Sequence, residues 1–394
     1  MLTTTEILSR LVRIPSVTSM SNGPLLTAIE ELLGSRQWIA RRLSYIASDG
    51  IEKANLLAFP RRFQERLPRV ETLFACHTDT VPFRSEWSEA VAPQERNGAL
   101  HGCGSCDVKG AMAGMIAAAL QVAPDEIHEP VAYAFTAEEE IGCVGAAKLV
   151  ASGAVHPRRA IVCEPTSLHP ATAGKGYGLA EVKVQGREAH SAFPERGVSA
   201  IQAAARLIAA LEQGQSSADR LRDARFNPPH TTWNVGVIQG GSAKNIIAGG
   251  CRFLVEWRPI PSENPRLGGE IVQRLAAAVA AAVPGCSIDV RILRADAGFA
   301  NPPGAALGAR LTNLLGRPET GISFGSEAQR FLTLAEEAVV IGPGDMRTAH
   351  SERECVPLDE LETWTETVKD ILLRGVAPGD PQTLSLGELS SSPA

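Results

Sequence analysis

The chain has 394 residues, 44% of them apolar and 21% charged, a balance that suits a soluble globular protein of two or three domains. A formal net charge of -6 offers nothing to nucleic-acid phosphates or to an anionic membrane surface. The Ala-rich run from Leu275 to Val283 is far too short for a membrane span, and Met1 to Ser16 lacks the apolar segment of a signal peptide. The expected location is therefore the cytoplasm, and the eight cysteines are not expected to build a disulfide framework.

Residues 1–34 read as one or two helices turning at Pro15. Short apolar strands then alternate with helices: a strand at 71–75 leading into Cys76 and His77, a helix at 110–122, a strand at 131–136, a helix at 145–152 and a strand at 160–163. This alternation predicts an α/β domain on a mixed, largely parallel sheet flanked by helices. The pattern changes near Gly178. A strand at 179–184, a helix at 198–211, strands at 233–238 and 252–257, a helix at 270–283 and a strand at 287–292 give β-α-β-β-α-β, the ferredoxin-like arrangement. The α/β style resumes with a helix at 304–315, a strand at 338–341 and a closing helix at 358–374. The expected layout is a catalytic domain at 1–178 and 295–376, an inserted lid or dimerisation domain at 179–294, and a disordered tail at 377–394 rich in Gly, Pro and Ser.

Five stretches put histidines or carboxylates at strand ends, where the ligands of open α/β sheets collect. His77 follows a strand, and Asp79 two residues on is a partner for its second ring nitrogen; the plain alternative is a loop histidine beside a capping aspartate. Asp107 closes a glycine-rich run into a helix, where it either bridges two ions or caps the helix. Glu138, Glu139 and Glu140 crowd one strand end and repel each other unless solvated or neutralised by cations. Glu164 follows an apolar run, and His350 lies beyond a Gly-Pro-Gly turn with Glu354 near it. Cys103 and Cys106 have CxxC spacing, but no second pair accompanies them and the segment runs directly into Asp107. Together, two histidines, three carboxylates and an extra glutamate suit a pair of divalent ions, Zn²⁺ first, with Co²⁺ or Mn²⁺ as alternatives.

The motifs run in order along nearly the whole chain: His77-Thr-Asp-Thr-Val-Pro-Phe83, Cys106-Asp-Val-Lys-Gly110, Thr136-Ala-Glu-Glu-Glu140, Cys163-Glu-Pro-Thr166, Gly240-Gly-Ser-Ala-Lys-Asn245, Arg258-Pro-Ile-Pro261, and Gly342-Pro-Gly through Ala349-His350. In this series the chain resembles the M20-type metallo-aminoacylases and peptidases, with the cast of their acetylornithine deacetylases. The resemblance implies that His77 and Glu164 bind one metal, that Glu140 and His350 bind another, and that Asp107 bridges both. It implies Glu139 as the general base and Asp79 as the residue that orients His77, although the triple glutamate leaves base and ligand ambiguous by one position.

In the inserted domain, Gly186 to Pro194 matches the motif whose histidine, here His190, supplies an oxyanion donor, across a dimer interface in many relatives. Asn245 and Arg258 match positions that bind the substrate's carboxylate. Lys175 is a candidate second positive contact, and Gly325 and Ser326 lie where relatives place a loop near the substrate. The implied reaction is deacetylation of N-acetylornithine, a step of arginine biosynthesis, by a homodimer. Rivals within the class are N-acetylcitrulline, N-succinyl-diaminopimelate and dipeptides; outside it stands a metal-bound scaffold without catalysis.

Overall fold

A strand apolar at every position must be covered on both faces, whereas one that alternates needs cover on one face only. Both kinds occur in the computed structural model, which describes residues 2–215 and 221–376; the predicted tail at 377–394 lies outside the described residues. The chain forms two compact units. The first takes the chain up to Leu168, Gly304–Arg317 and the chain from Ile341; the second takes His169–Pro303 and Pro318–Val340.

The first unit contains helices α1 (Thr4–Val12) and α2 (Gly23–Gly34), strands β1 (Trp38–Ile46), β2 (Glu52–Pro60) and β3 (Arg69–His77), helix α3 (Lys109–Gln121), strand β4 (Val131–Thr136), helix α4 (Val144–Ser152) and strand β5 (His156–Val162). Its strands lie in the order β1-β2-β4-β3-β5. β3 runs parallel to both β4 and β5, while β1 with β2 and β2 with β4 are antiparallel. Every residue of β4 is buried, as its unbroken apolar run requires. Helix α3 is likewise buried from Lys109 to Leu120, which explains its Ala- and Gly-rich composition. A Cβ on Gly114 would stand 2.4 Å from Trp364 of the helix Leu358–Arg374, so glycine lets that indole close in. There the indole Nε1 donates to the Ala111 carbonyl at 3.0 Å.

The hairpin of β1 and β2 is absent from the sequence reading. β1 leaves the adjacent Arg41 and Arg42 both exposed, one on each face, and so shows no apolar run, as befits a strand at a sheet edge.

The second unit contains β6 (Tyr177–Gln185), α5 (Ala200–Gln215), β7 (Thr232–Gly240), β8 (Gly250–Arg258), α6 (Leu267–Ala282) and β9 (Ser287–Asp296). The sheet order is β7-β8-β6-β9, antiparallel throughout, which is the ferredoxin-like connection read from the sequence. Ala180, Val182 and Val184 point from β6 into a core shared with Ala203 and Leu207 of α5, Phe253 and Trp257 of β8 and Val272 of α6. The unit reaches beyond 179–294 because Ala171–Gly174 pairs antiparallel with Phe299–Ala300 and with Val340, and parallel with Thr320–Ile322. Among the described residues, no helix is long and apolar enough to cross a membrane.

Candidate metal centre

β3 carries the chain out of the sheet at His77. The ring Nδ1 donates to the backbone carbonyl of Asp79 at 2.9 Å, so Nε2 is the nitrogen presented to Asp107 Oδ1, 3.0 Å away. Asp79 thus meets His77 through its main chain. Its carboxylate lies 3.8 Å from Nδ1 and serves another end: it accepts from the amides of Glu139 (3.0 Å) and Glu140 (3.2 Å) and from the Thr18 hydroxyl (2.8 Å). One aspartate therefore ties the His77 loop to the glutamate loop.

His77, Asp107 and Glu164 form one candidate group, and Asp107, Glu140 and His350 another, with the ligand atoms of each group within 4.8 Å of one another. Asp107 belongs to both. Its Oδ1 faces His77, and its Oδ2 lies 3.1 Å from His350 Nε2, which is also 3.2 Å from Glu140 Oε2. Glu164 follows β5 by two residues, and its loop is stitched to the one that carries His350 by Thr166 and Leu168, whose amides donate to the Gly342 carbonyl at 3.2 and 3.0 Å. All five candidates come from the first unit.

These residues fit a pair of divalent ions. Three carboxylates gathered in a largely buried space need positive charge, and mixed imidazole and carboxylate donors match Zn²⁺ and its neighbours. Glu140 Oε1 is buried without a hydrogen-bond partner, the state of an oxygen reserved for a ligand. The same carboxylates act on the two imidazoles. Burial opposes a charge on His77, but the hydrogen bond and charge of Asp107 outweigh it and raise the imidazole pKa well above its ordinary value. Hydrogen bonds to Asp107 and Glu140 raise His350 to about 10. Burial would raise Asp107, yet the bonds from His350 and His77 hold it well below the usual carboxylate range.

The three adjacent glutamates separate in space. Glu138 has a left-handed backbone (φ 58°) and turns its carboxylate to the Tyr45 hydroxyl at 2.9 Å. Glu140 joins the second candidate group. Glu139 Oε1 accepts from the Cys143 thiol at 3.3 Å. Sequence reasoning passed over Tyr45, which sits in the unassigned hairpin. It also passed over Cys143, whose placement four residues after Glu139 was the available signal. A cavity of about 430 Å³ opens beside His350, lined among others by Val81, Phe83, Arg84, Trp87 and Arg353. Cys103 and Cys106 are free and buried. Burial pushes the Cys103 thiol up to about 12 and raises Cys106 as well, the opposite of a reactive redox pair.

The remaining candidates lie in the second unit. His190 and Asn245 come together because residues 189–190 pair with residues 246–247, and the Ser191 amide donates to the Asn245 carbonyl at 3.0 Å. The Ala192 amide donates to His190 Nδ1 at 3.1 Å, which leaves Nε2–H as an outward donor. Arg258 stacks on Tyr177, 4.4 Å from the ring centre, and lies 3.6 Å from Glu256. Lys175 departs from expectation. It is buried, and its ammonium donates to the carbonyls of Pro228 (2.9 Å) and His230 (2.6 Å), so its charge serves a loop of its own unit. Ser326 is buried with its hydroxyl 3.4 Å from the Ala328 amide, and Gly325 is half-buried.

Residues 73–374 match the model of peptidase family M20/M25/M40. The chain belongs to that family. Membership makes this M20 chain a hydrolase of amide bonds. It is 39% identical to an acetylornithine deacetylase of Myxococcus xanthus over 355 residues, 90% of this chain and 92% of that one. A tripeptidase from Staphylococcus aureus shares its fold with a TM-score of 0.78 at 20% identity, covering 95% of this chain and 98% of the other. So does a dinuclear metal-binding M20 peptidase from Bacillus subtilis, with a TM-score of 0.67 at 14% identity, covering 95% and 97%.

Proposed function

We propose that this M20 chain is a two-metal amidohydrolase that removes the acetyl group from N-acetylornithine, as a cytoplasmic homodimer. The observation that carries the metal part is Asp107, whose two oxygens each face one histidine of the two groups. The substrate rests on the similarity to the Myxococcus xanthus deacetylase. His77, Glu164 and Asp107 would hold one ion and Glu140, His350 and Asp107 the other, with Zn²⁺ preferred over Co²⁺. Bound ions would polarise the amide carbonyl and ease deprotonation of water.

The protein's own part is proton transfer and positioning. With Glu138 committed to Tyr45 and Glu140 to His350, Glu139 takes the proton from the attacking water and delivers it to the leaving amine as the C–N bond breaks. The products are acetate and the free amino acid. Nε2–H of His190 donates to the oxygen on which negative charge builds. The planar fork of Arg258, with Asn245, receives the substrate's carboxylate.

A second reading has one observation in its favour. Arg84 and Arg353 line the cavity beside His350 and would suit an acyl group ending in a carboxylate, as in N-succinyl-diaminopimelate. An amine-release assay with added Zn²⁺ or Co²⁺ separates the readings. N-acetylornithine is expected to be hydrolysed faster than N-acetylcitrulline or N-succinyl-diaminopimelate, and Glu139→Ala to lower kcat by about 10²–10⁴-fold with both ions retained. Preference for the succinyl substrate would replace the acetyl reading, and protein that takes up no ion would end both.

A further inference from the structure

Glu354 is a buried carboxylate that the proposed chemistry does not use. It is placed by a small three-stranded sheet in the first unit. There Cys355–Pro357 pairs antiparallel with Ala99–His101, Cys355 opposite His101, and Ala99–His101 pairs in turn with Gln94–Arg96. One step beyond that register the Gly102 amide donates to the Glu354 carbonyl at 3.3 Å, so Glu354 faces the loop that leads from Gly102 to Asp107. Its side chain closes the gap. Oε1 accepts from the amides of Cys106 (3.1 Å) and Asp107 (3.0 Å).

The Glu354 amide in turn donates to the Ser351 carbonyl at 3.0 Å, which closes the turn immediately after His350. One residue thus fastens the loop that carries Asp107 to the loop that carries His350, and Asp107 and His350 stand 3.1 Å apart. Such a carboxylate is costly to keep there. A buried carboxylate has to find hydrogen bonds, and Oε1 finds them in the amides of Cys106 and Asp107.

We infer that Glu354 is a positioning residue for the metal centre: through Oε1 it fixes the main chain of Cys106 and Asp107, and with it the carboxylate common to both candidate groups. The inference rests on the two-metal reading and adds to it the residue that sets how tightly the ions are held. What matters is the acceptor oxygen and not the negative charge. Glu354→Gln keeps an oxygen at the same reach, whereas Glu354→Ala removes it and leaves two buried amides unpaired.

The test uses the full chain, stripped of metal and titrated with Zn²⁺ against a competing chelator, with circular dichroism to confirm folding. Wild type is expected to take up two ions, Glu354→Gln to match it within about 3-fold, and Glu354→Ala to bind about 10–100-fold more weakly, as loss of a residue that supports metal ligands does. Should the alanine variant not fold, Glu354→Asp withdraws the acceptor by one methylene and is expected to weaken uptake about 10-fold. Alanine or aspartate variants that bind both ions like wild type would overturn the inference, as would a glutamine variant no better than alanine. Wild type that takes up no ion would instead sink the two-metal reading, and this inference with it.

Discussion

In the first unit His77, Asp107, Glu140 and His350 each stand within 3.2 Å of another of the four, and only His350 is exposed. In the second unit His190 and Asn245 are exposed and Arg258 is half-buried, and what fixes them is backbone pairing, one aromatic ring and one neighbouring acid. The first set satisfies itself inwardly and concentrates negative charge that only protons or cations can balance. The second set presents donors outward to whatever arrives. Substitutions among these four residues should therefore act through metal uptake, and those in the second set through turnover and substrate affinity with the metal untouched.

Asp107→Ala is the strongest way to break this contrast, because Asp107 is the member common to both groups. Both ions should be lost on mild chelation and amine release should fall to background, as metal analysis and the assay would record. An Asp107→Ala protein that kept two ions would mean that the groups do not share a ligand. His190→Ala should lower kcat by about 10²–10³-fold, the usual loss of one oxyanion donor. Its metal content and melting temperature should match wild type, since the side chain is exposed. A fall in bound metal would put His190 in the wrong set.

Arg258 and Lys175 sharpen the contrast within the second unit, since both are cations and only one has its donors spent. Arg258→Ala should raise KM about 10-fold or more, the scale of a charge-assisted hydrogen bond, with kcat less affected. Lys175→Ala should leave KM near wild type and cost about 1–3 kcal/mol of stability, because the carbonyls of Pro228 and His230 lose their donor. Denaturant titration beside steady-state kinetics measures both. A Lys175 variant with wild-type stability and a raised KM would return that ammonium to the substrate.

These pairs also mark how far the amino-acid sequence carries. His77, Glu140 and Glu164 were legible because each closes or follows an apolar strand, and a strand end is where a parallel sheet exposes its ligands. The ferredoxin-like order was legible for the same reason, since its strands alternate and its helices are amphipathic. Lys175 shows the limit. Its place beside Gly174 and Gly176 is a sequence fact, but the burial of its ammonium depends on a loop some fifty residues on. Glu354 shows it more sharply, because its oxygen meets Asp107 only through the register of strands three residues long, and such strands carry no periodicity to read. The separation of Glu138 from Glu139 and Glu140 turned on one left-handed residue and on Tyr45 in an unread hairpin.

The smallest effect expected concerns the metal-free protein and pH. His350 is raised from an ordinary value of 6.5 to about 10 by Asp107 and Glu140. A raised folded-state pKa contributes stability that is fully present below about pH 6.5 and is lost as pH climbs through about 10. The melting temperature of metal-free protein should therefore decline across that window. Metal-loaded protein should not show this decline, because ligand imidazoles bind ions in their neutral form and have no proton left to lose. Metal uptake near pH 8 should accordingly release protons, which a weakly buffered titration detects. The two curves should differ most at the alkaline end, and His350→Ala should remove much of the metal-free decline. His77, raised by the same Asp107, would account for what remains. If the metal-free and loaded proteins instead melted in parallel from pH 6.5 to 10, the histidines and Asp107 would not be holding protons in place of ions, and the inward half of the comparison would fail.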